Sequence, residues 1–235
     1  TMTAVDSAAF LEAVKQAAPT SLTGAEGWHT FYWSGGSFEV CLRPGGVFFC
    51  PQFQAASRWC VKPGTQVIAI AWGRYGNYEL QFVAQNQWAG SAVGAPDDWR
   101  KMEFKAPLSP AESRILGSNG AGSEWQLAHP HGGEFSVEFR GDGFNHFVCN
   151  AYPAHSHYTL AGANRDELTI DWGQYGVYEL RVDGASGRAE GCAKGNQADW
   201  RRLTFIRDLA SATPTIDCSK ANCTPNCAPE CAGCT

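Results

Sequence analysis

The stretch Trp72-Gly73-Arg74-Tyr75-Gly76-Asn77-Tyr78-Glu79-Leu80 returns as Trp172-Gly173-Gln174-Tyr175-Gly176-Val177-Tyr178-Glu179-Leu180 a hundred positions later. A chain of 235 residues that repeats itself over half its length must fold as two copies of one unit. Within each copy Ile68, Ile70 and Trp72, or Leu168, Ile170 and Trp172, alternate with smaller or more polar neighbours. Tyr78, Leu80 and Phe82, or Tyr178, Leu180 and Val182, do the same after the Gly-x-Tyr-Gly connection. Period two on both sides of a glycine-bounded turn predicts an antiparallel hairpin with one apolar face.

The register extends beyond the hairpin. Gly35-Gly36-Ser37-Phe38 matches Gly132-Gly133-Glu134-Phe135, Gly46 matches Gly143, and Asp98-Trp99-Arg100 matches Asp199-Trp200-Arg201, with spacing that drifts only from 97 to 101. Strands are predicted near 28–33, 37–43, 46–53, 57–62, 66–72, 77–84, 87–93 and 98–105, and the second copy follows in parallel. Eight short strands with short turns suit a meander closed into a barrel, which leaves no open edge. Residues 6 to 18 read as a helix stopped by Pro19, and residues 109 to 116 as a second, with Ser109 and Glu112 spaced for a capping box and Pro110 at its first position. The expected architecture is all-β: two tandem small antiparallel meander barrels over residues 1–108 and 109–210, each preceded by a short helix, then a cysteine-rich tail over 211–235.

Nine tryptophans, thirteen phenylalanines and seven tyrosines against two methionines imply stiff aromatic cores. The net charge of −5 and the scattered basic residues argue against nucleic-acid binding, and no apolar run approaches the ~20 residues of a transmembrane helix. Five of the ten cysteines, Cys218, Cys223, Cys227, Cys231 and Cys234, crowd the tail among Pro225, Pro229 and Gly233. So short a segment needs cross-links or a metal to be ordered, and its spacing suits disulfides better than a zinc knuckle. With a start at Thr1-Met2, this points to an oxidising compartment reached after removal of a targeting peptide.

The early Trp, Gly-Gly-x-Phe, the Trp-Gly-x-Tyr-Gly-x-Tyr-Glu-Leu hairpin and the closing Trp-Arg together resemble small calycin-type, lipocalin- or avidin-like barrels. Repeats of this wording are similar to those of dinoflagellate algal proteins. The resemblance spans roughly residues 27–105 and 124–206 and implies a calyx for a small apolar ligand, pigments among them. It also implies an accessory subunit of an algal pigment–protein complex.

Chemistry-bearing residues are sparse. His129 and His131 are two apart, as are His155 and His157, so on strands each pair shares a face and the two pairs are candidate metal ligands. In the first copy Arg58 or Trp59 falls near the second pair. The aromatics Trp28, Trp72, Tyr75, Tyr78 and Trp99, matched by Trp125, Trp172, Tyr175, Tyr178 and Trp200, read mostly as core. Trp33, Trp59 and Trp88 have no tryptophan counterparts, and with Tyr75 and Tyr175 they are the candidates for ligand or partner contact. No nucleophile elbow, phosphate loop or dinucleotide fingerprint occurs, and Cys50, Cys60 and Cys149 read as structural rather than nucleophilic. The leading expectation is a non-catalytic protein that binds a protein partner or larger complex, or a small apolar ligand or pigment. A histidine-based metal protein or metal-dependent enzyme and a secreted carbohydrate-binding module are the alternatives.

Overall fold

The computed structural model of the protein describes residue 9 and residues 25–210, and the chain divides into two compact units between Pro107 and Leu108. The first unit contains β1 (Gly27–Trp33), β2 (Gly36–Leu42), β3 (Phe48–Phe49), β4 (Ser57–Val61), β5 (Val67–Trp72), β6 (Asn77–Ala84), β7 (Gln87–Ala92) and β8 (Ala95–Ala106). The second opens with α1 (Pro110–Leu116) and continues through β9 (Gly122–Ala128), β10 (Glu134–Arg140), β11 (Phe147–Val148) and β12 (His157–Ala161). It ends with β13 (Glu167–Asp171), β14 (Val177–Asp183), β15 (Arg188–Ala193) and β16 (Asn196–Asp208). The expected tandem of antiparallel barrels is present. The helix expected at 6–18 and the tail from 211 lie outside the described residues.

In each unit the sequential strands pair as a meander, and the first strand also pairs with the last, giving the orders β3-β2-β1-β8-β7-β6-β5-β4 and β11-β10-β9-β16-β15-β14-β13-β12. What remains between the ends of these orders is a seam, spanned by a single bridge: Val47 to Arg58 in the first barrel and His146 to His157 in the second. The strand expected at 46–53 is reduced to Phe48–Phe49: a 3-10 turn at Pro44–Gly46, with Gly45 at φ +74°, takes its start, and the chain bends away over residues 51–53. Pro44 carries no donor and the turn consumes the residues that would lengthen the strand.

Alternation then sorts the side chains. Phe31, Leu42, Phe48, Ile68, Ile70, Leu80 and Met102 fill the first interior, and Leu127, Phe139, Phe147, Tyr158, Leu168, Ile170 and Leu203 the second. Each barrel is capped at the Trp-Gly-x-Tyr-Gly end by rings in edge-on or tilted contact: Phe38, Phe53, Trp72 and Tyr75, matched by Phe135, Tyr152, Trp172 and Tyr175. Trp72 and Trp172 donate from Nε1 to the carbonyls of Phe53 and Tyr152, at 3.0 and 3.1 Å. Arg100 and Arg201 each stack on the ring of Tyr78 or Tyr178 and donate to its hydroxyl, held in place by Asp98 or Asp199. This duplication is packing, as the repeat implies.

Two aromatic assignments change. Trp99 is exposed. Trp28 is not the partner of Trp125 in register: Val137 faces Trp125, whereas its counterpart Val40 faces His29. The β9–β10 connection is one residue longer than the β1–β2 connection, seven residues between Leu127 and Phe135 against six between Phe31 and Phe38, so the aligned tryptophans fall one step apart on the pleat.

Gly90 and Gly191 occupy matched places on β7 and β15. A Cβ there would stand 1.9 Å from the carbonyl oxygen of Glu79, or 2.0 Å from that of Glu179. Gly191→Ala is expected to destabilise the second barrel by about 2 kcal/mol in chemical denaturation, because backbone and not a flexible side chain must yield. A change below ~0.5 kcal/mol would mean that β14 and β15 part freely.

Candidate metal centre

The site grows from the loop that enters the second seam. After β10, Asp142 accepts from the backbone N–H of Phe144 at 3.0 Å and of His146 at 3.3 Å, winding residues 141–145 into a tight turn with Asn145 at φ +54°. An aspartate at the head of such a turn and an asparagine in the left-handed region are the residue types that this backbone favours. The turn delivers His146 opposite His157, with Phe147 N–H bonded to Ser156 O and Tyr158 N–H to Asn145 O, both at 2.9 Å. Phe147 and Tyr158 point into the core, so by alternation His146 and His157 lie on the outer wall. His155 shares that side, two residues before His157.

The three rings converge. His146 and His157 have centroids 4.7 Å apart, His155 and His157 4.6 Å, and one nitrogen from each ring lies within 4.8 Å of the others. Among the described residues this is the one group of three or more histidine, cysteine or acidic side chains close enough to share an ion. His146 and His155 are buried and His157 partly so.

Two of the rings are oriented from behind. His146 Nδ1 stands 2.6 Å from Asp142 Oδ2, and His157 Nδ1 stands 2.7 Å from the carbonyl of Phe144. Both acceptors lack a proton to give, so both Nδ1 atoms donate, and the lone pair of each ring is on Nε2. Burial would raise the Asp142 carboxyl, but the His146 ring and the two backbone N–H donors outweigh it and hold the group below the usual carboxylate range. Burial pushes His155 down to about 4, aided by the neighbouring His157 and His146 rings. Burial also lowers His157, against the opposing hydrogen bond to Phe144. Neutral imidazoles are the ligating form. The carboxylate of Asp171, paired opposite His157 in register, adds negative potential at both His155 and His157.

His155 Nε2 and His157 Nε2 are 2.7 Å apart, at hydrogen-bond distance. Because His157 Nε2 holds a lone pair, the proton between them sits on His155. Two nitrogens on a tetrahedral ion with bonds of ~2.0–2.1 Å stand about 3.3 Å apart, so an ion replaces that proton and parts the rings by about 0.6 Å.

The first barrel supplies an internal comparison. Arg43 N–H bonds to Val47 O at 2.9 Å, and Arg140 N–H to His146 O at 2.8 Å, which fixes Val47 as the counterpart of His146 across two inserted residues. At the matched seam positions Gly45, Val47, Ala56, Arg58 and Ala71 stand where the second barrel has Asp142, His146, His155, His157 and Asp171. Every group that could hold a cation is on one side of this comparison.

Of the predicted ligands, His155 and His157 are in the group. His129 and His131 are in the β9–β10 turn, 5.9 Å apart by ring centroid, with His129 against Phe135, and they are outside it. His146 was not anticipated, because it is isolated in sequence and reaches the pair only across the seam. Trp59 is 2% exposed, with Nε1 donating to Arg43 O at 2.9 Å, and Trp88 is 4% exposed beside His29, so both are core residues and not contact surfaces. Trp33 and Tyr175 are exposed and Tyr75 is half-buried in the ring cap. Cys50, Cys60, Cys149 and Cys192 are free thiols, and Cys41 is buried. Burial pushes the thiols of Cys50, Cys60 and Cys149 up, to about 11 for Cys50, which suits inert core residues. Cys218, Cys223, Cys227, Cys231 and Cys234 lie outside the described residues. Among the described residues no helix is long and apolar enough to cross a membrane.

Compared with known proteins, the chain matches no family model, no curated protein and no solved structure.

Proposed function

We propose that the second barrel binds one divalent transition-metal ion through His146, His155 and His157. The observation that carries this is the concerted difference between the two seams: three histidines and two carboxylates converge in one copy where the other has Gly45, Val47, Ala56, Arg58 and Ala71. Drift on a solvated surface would scatter such changes. It would not gather them around one point or bury two of the rings.

Three imidazoles suit zinc, copper, nickel or cobalt rather than magnesium or calcium, which prefer oxygen. The carboxylate behind His146 and the carbonyl behind His157 are the outer partners that fix ring orientation in metal sites. Three protein nitrogens also leave a tetrahedral ion one position for water or an exchangeable ligand, the arrangement of catalytic rather than structural zinc. Binding of an apolar ligand inside either barrel requires the interlocked rings at its cap and core to part, so the metal reading takes precedence over a calyx.

Titration calorimetry of the metal-stripped full chain with Zn²⁺ tests the reading. One equivalent is expected at pH 7 to 8, where burial keeps His155 neutral, and the proton between His155 and His157 passes to His155 Nδ1 as Nε2 takes the ion. Absence of saturable binding there would reduce the three rings to a hydrogen-bonded cluster.

A further inference from the structure

The three ligands do not sit on one element. His146 comes from the β11 side of the seam, and His155 and His157 come from the β12 side. That seam is the thinnest backbone ladder in the barrel: elsewhere neighbouring strands pair over two to seven residues, but here there is one bridge, His146–His157, made by the Phe147 and Tyr158 amides bonding to Ser156 O and Asn145 O. It is supplemented by side-chain bonds from His157 Nδ1 to Phe144 O and from the Tyr158 hydroxyl to Arg140 O. β11 is only two residues long and has little ladder of its own to hold it.

We infer that the ion is a staple for this seam, so that closure of the second barrel is controlled by metal availability while the first barrel closes without metal. The inference rests on the metal reading above. An ion bound to ligands on both edges must lose at least one of them when the edges separate, so the closed seam binds it more tightly than the open one. Linkage then requires the ion to favour closure by the same factor. In the first barrel the corresponding bridge joins Val47 and Arg58, neither of which is a ligand for such an ion, and no coupling arises. A metal-poor environment would leave the second barrel with a seam that opens locally and exposes the strand edges of β11 and β12 to other chains.

Amide hydrogen exchange on the isotope-labelled full chain, metal-stripped and then with free Zn²⁺ at a hundred times its dissociation constant, separates the possibilities. Exchange of the Phe147 and Tyr158 amides is expected to slow by up to about 100-fold, with amides of the first barrel, and those of β14 that exchange through local openings, changing by less than about 2-fold. If calorimetry records one bound ion but the Phe147 and Tyr158 rates stay within about 2-fold, the staple is wrong and the metal site stands. Slowing of the Phe147 and Tyr158 amides that is no greater than that of β14 amides exchanging through local openings would also overturn it, because the ion would then not act at the seam in particular. If no ion binds, the metal reading itself fails, a result the calorimetry distinguishes from both.

Discussion

His157→Ala should leave a chain that binds Zn²⁺ at least about 100-fold more weakly than the wild type, and His155→Ala should do the same. Each removes one of three nitrogens, and no other histidine, cysteine or acidic side chain among the described residues completes a group around the point they vacate. Asp142→Asn tests the outer partner. The amide is nearly isosteric and keeps the acceptor oxygen for Phe144 and His146 N–H, but it loses the charge that holds His146 Nδ1–H. Its expected loss is smaller, about 10- to 100-fold. Arg58→Ala, at the matched place in the first barrel, should change nothing in the titration. The prediction is overturned if His157→Ala binds within 3-fold of the wild type while circular dichroism reports a folded chain, because the ion would then be held elsewhere. His129→Ala separates the competing assignment, since it should be neutral if the ligands are those at the seam.

The barrels were legible because their signal is periodic and duplicated. Alternation at Ile68, Ile70 and Trp72 and again at Tyr78, Leu80 and Phe82 placed β5 and β6 to within a residue, and the capping box at Ser109 and Glu112 placed α1. What escaped was whatever depends on chain segments that meet without pattern. His146 faces His157 only because β1–β8 and β9–β16 pairing curls each meander until its two ends touch, and nothing local to residue 146 announces that neighbour. The pairing of His129 and His131 with His155 and His157 failed for the same reason: equal spacing within each pair carries no information about distance between pairs. The alignment of Trp28 with Trp125 was misled by a longer turn, which shifts identity by one step of the pleat. The contact assignments of Trp59 and Trp88 show that an unmatched tryptophan is not thereby a surface one. In the first barrel they occupy volume that Tyr158 and Ala189 occupy at the corresponding places of the second.

The stability of the first barrel should fall by about 3 kcal/mol as pH drops from about 6.5 to about 4, through His29. This ring is fully buried, with Trp88 and Phe104 edge-on at 5.6 and 5.4 Å. Its Nδ1 donates to Gly27 O at 3.1 Å, while Nε2 is buried without a protein partner. Protonation would place a charge on that atom, so burial lowers the group from 6.5 to about 4, against the Gly27 hydrogen bond. Between those two values the unfolded chain binds a proton that the folded barrel refuses, so stability rises with pH across the window and is lost as pH falls through it. The second barrel carries its own control, because Trp125 fills the matched slot, and an apolar ring is therefore compatible with this architecture. His29→Phe removes both the titrating group and the unpartnered nitrogen, and should abolish this part of the pH dependence. Exchange of core β1 and β8 amides at pH 7 and pH 4.5, corrected for intrinsic rates, reads the first barrel alone within the intact chain. Parallel pH dependence in wild type and His29→Phe would show that His29 takes up its proton in the folded barrel, and that the buried ring finds a partner on protonation.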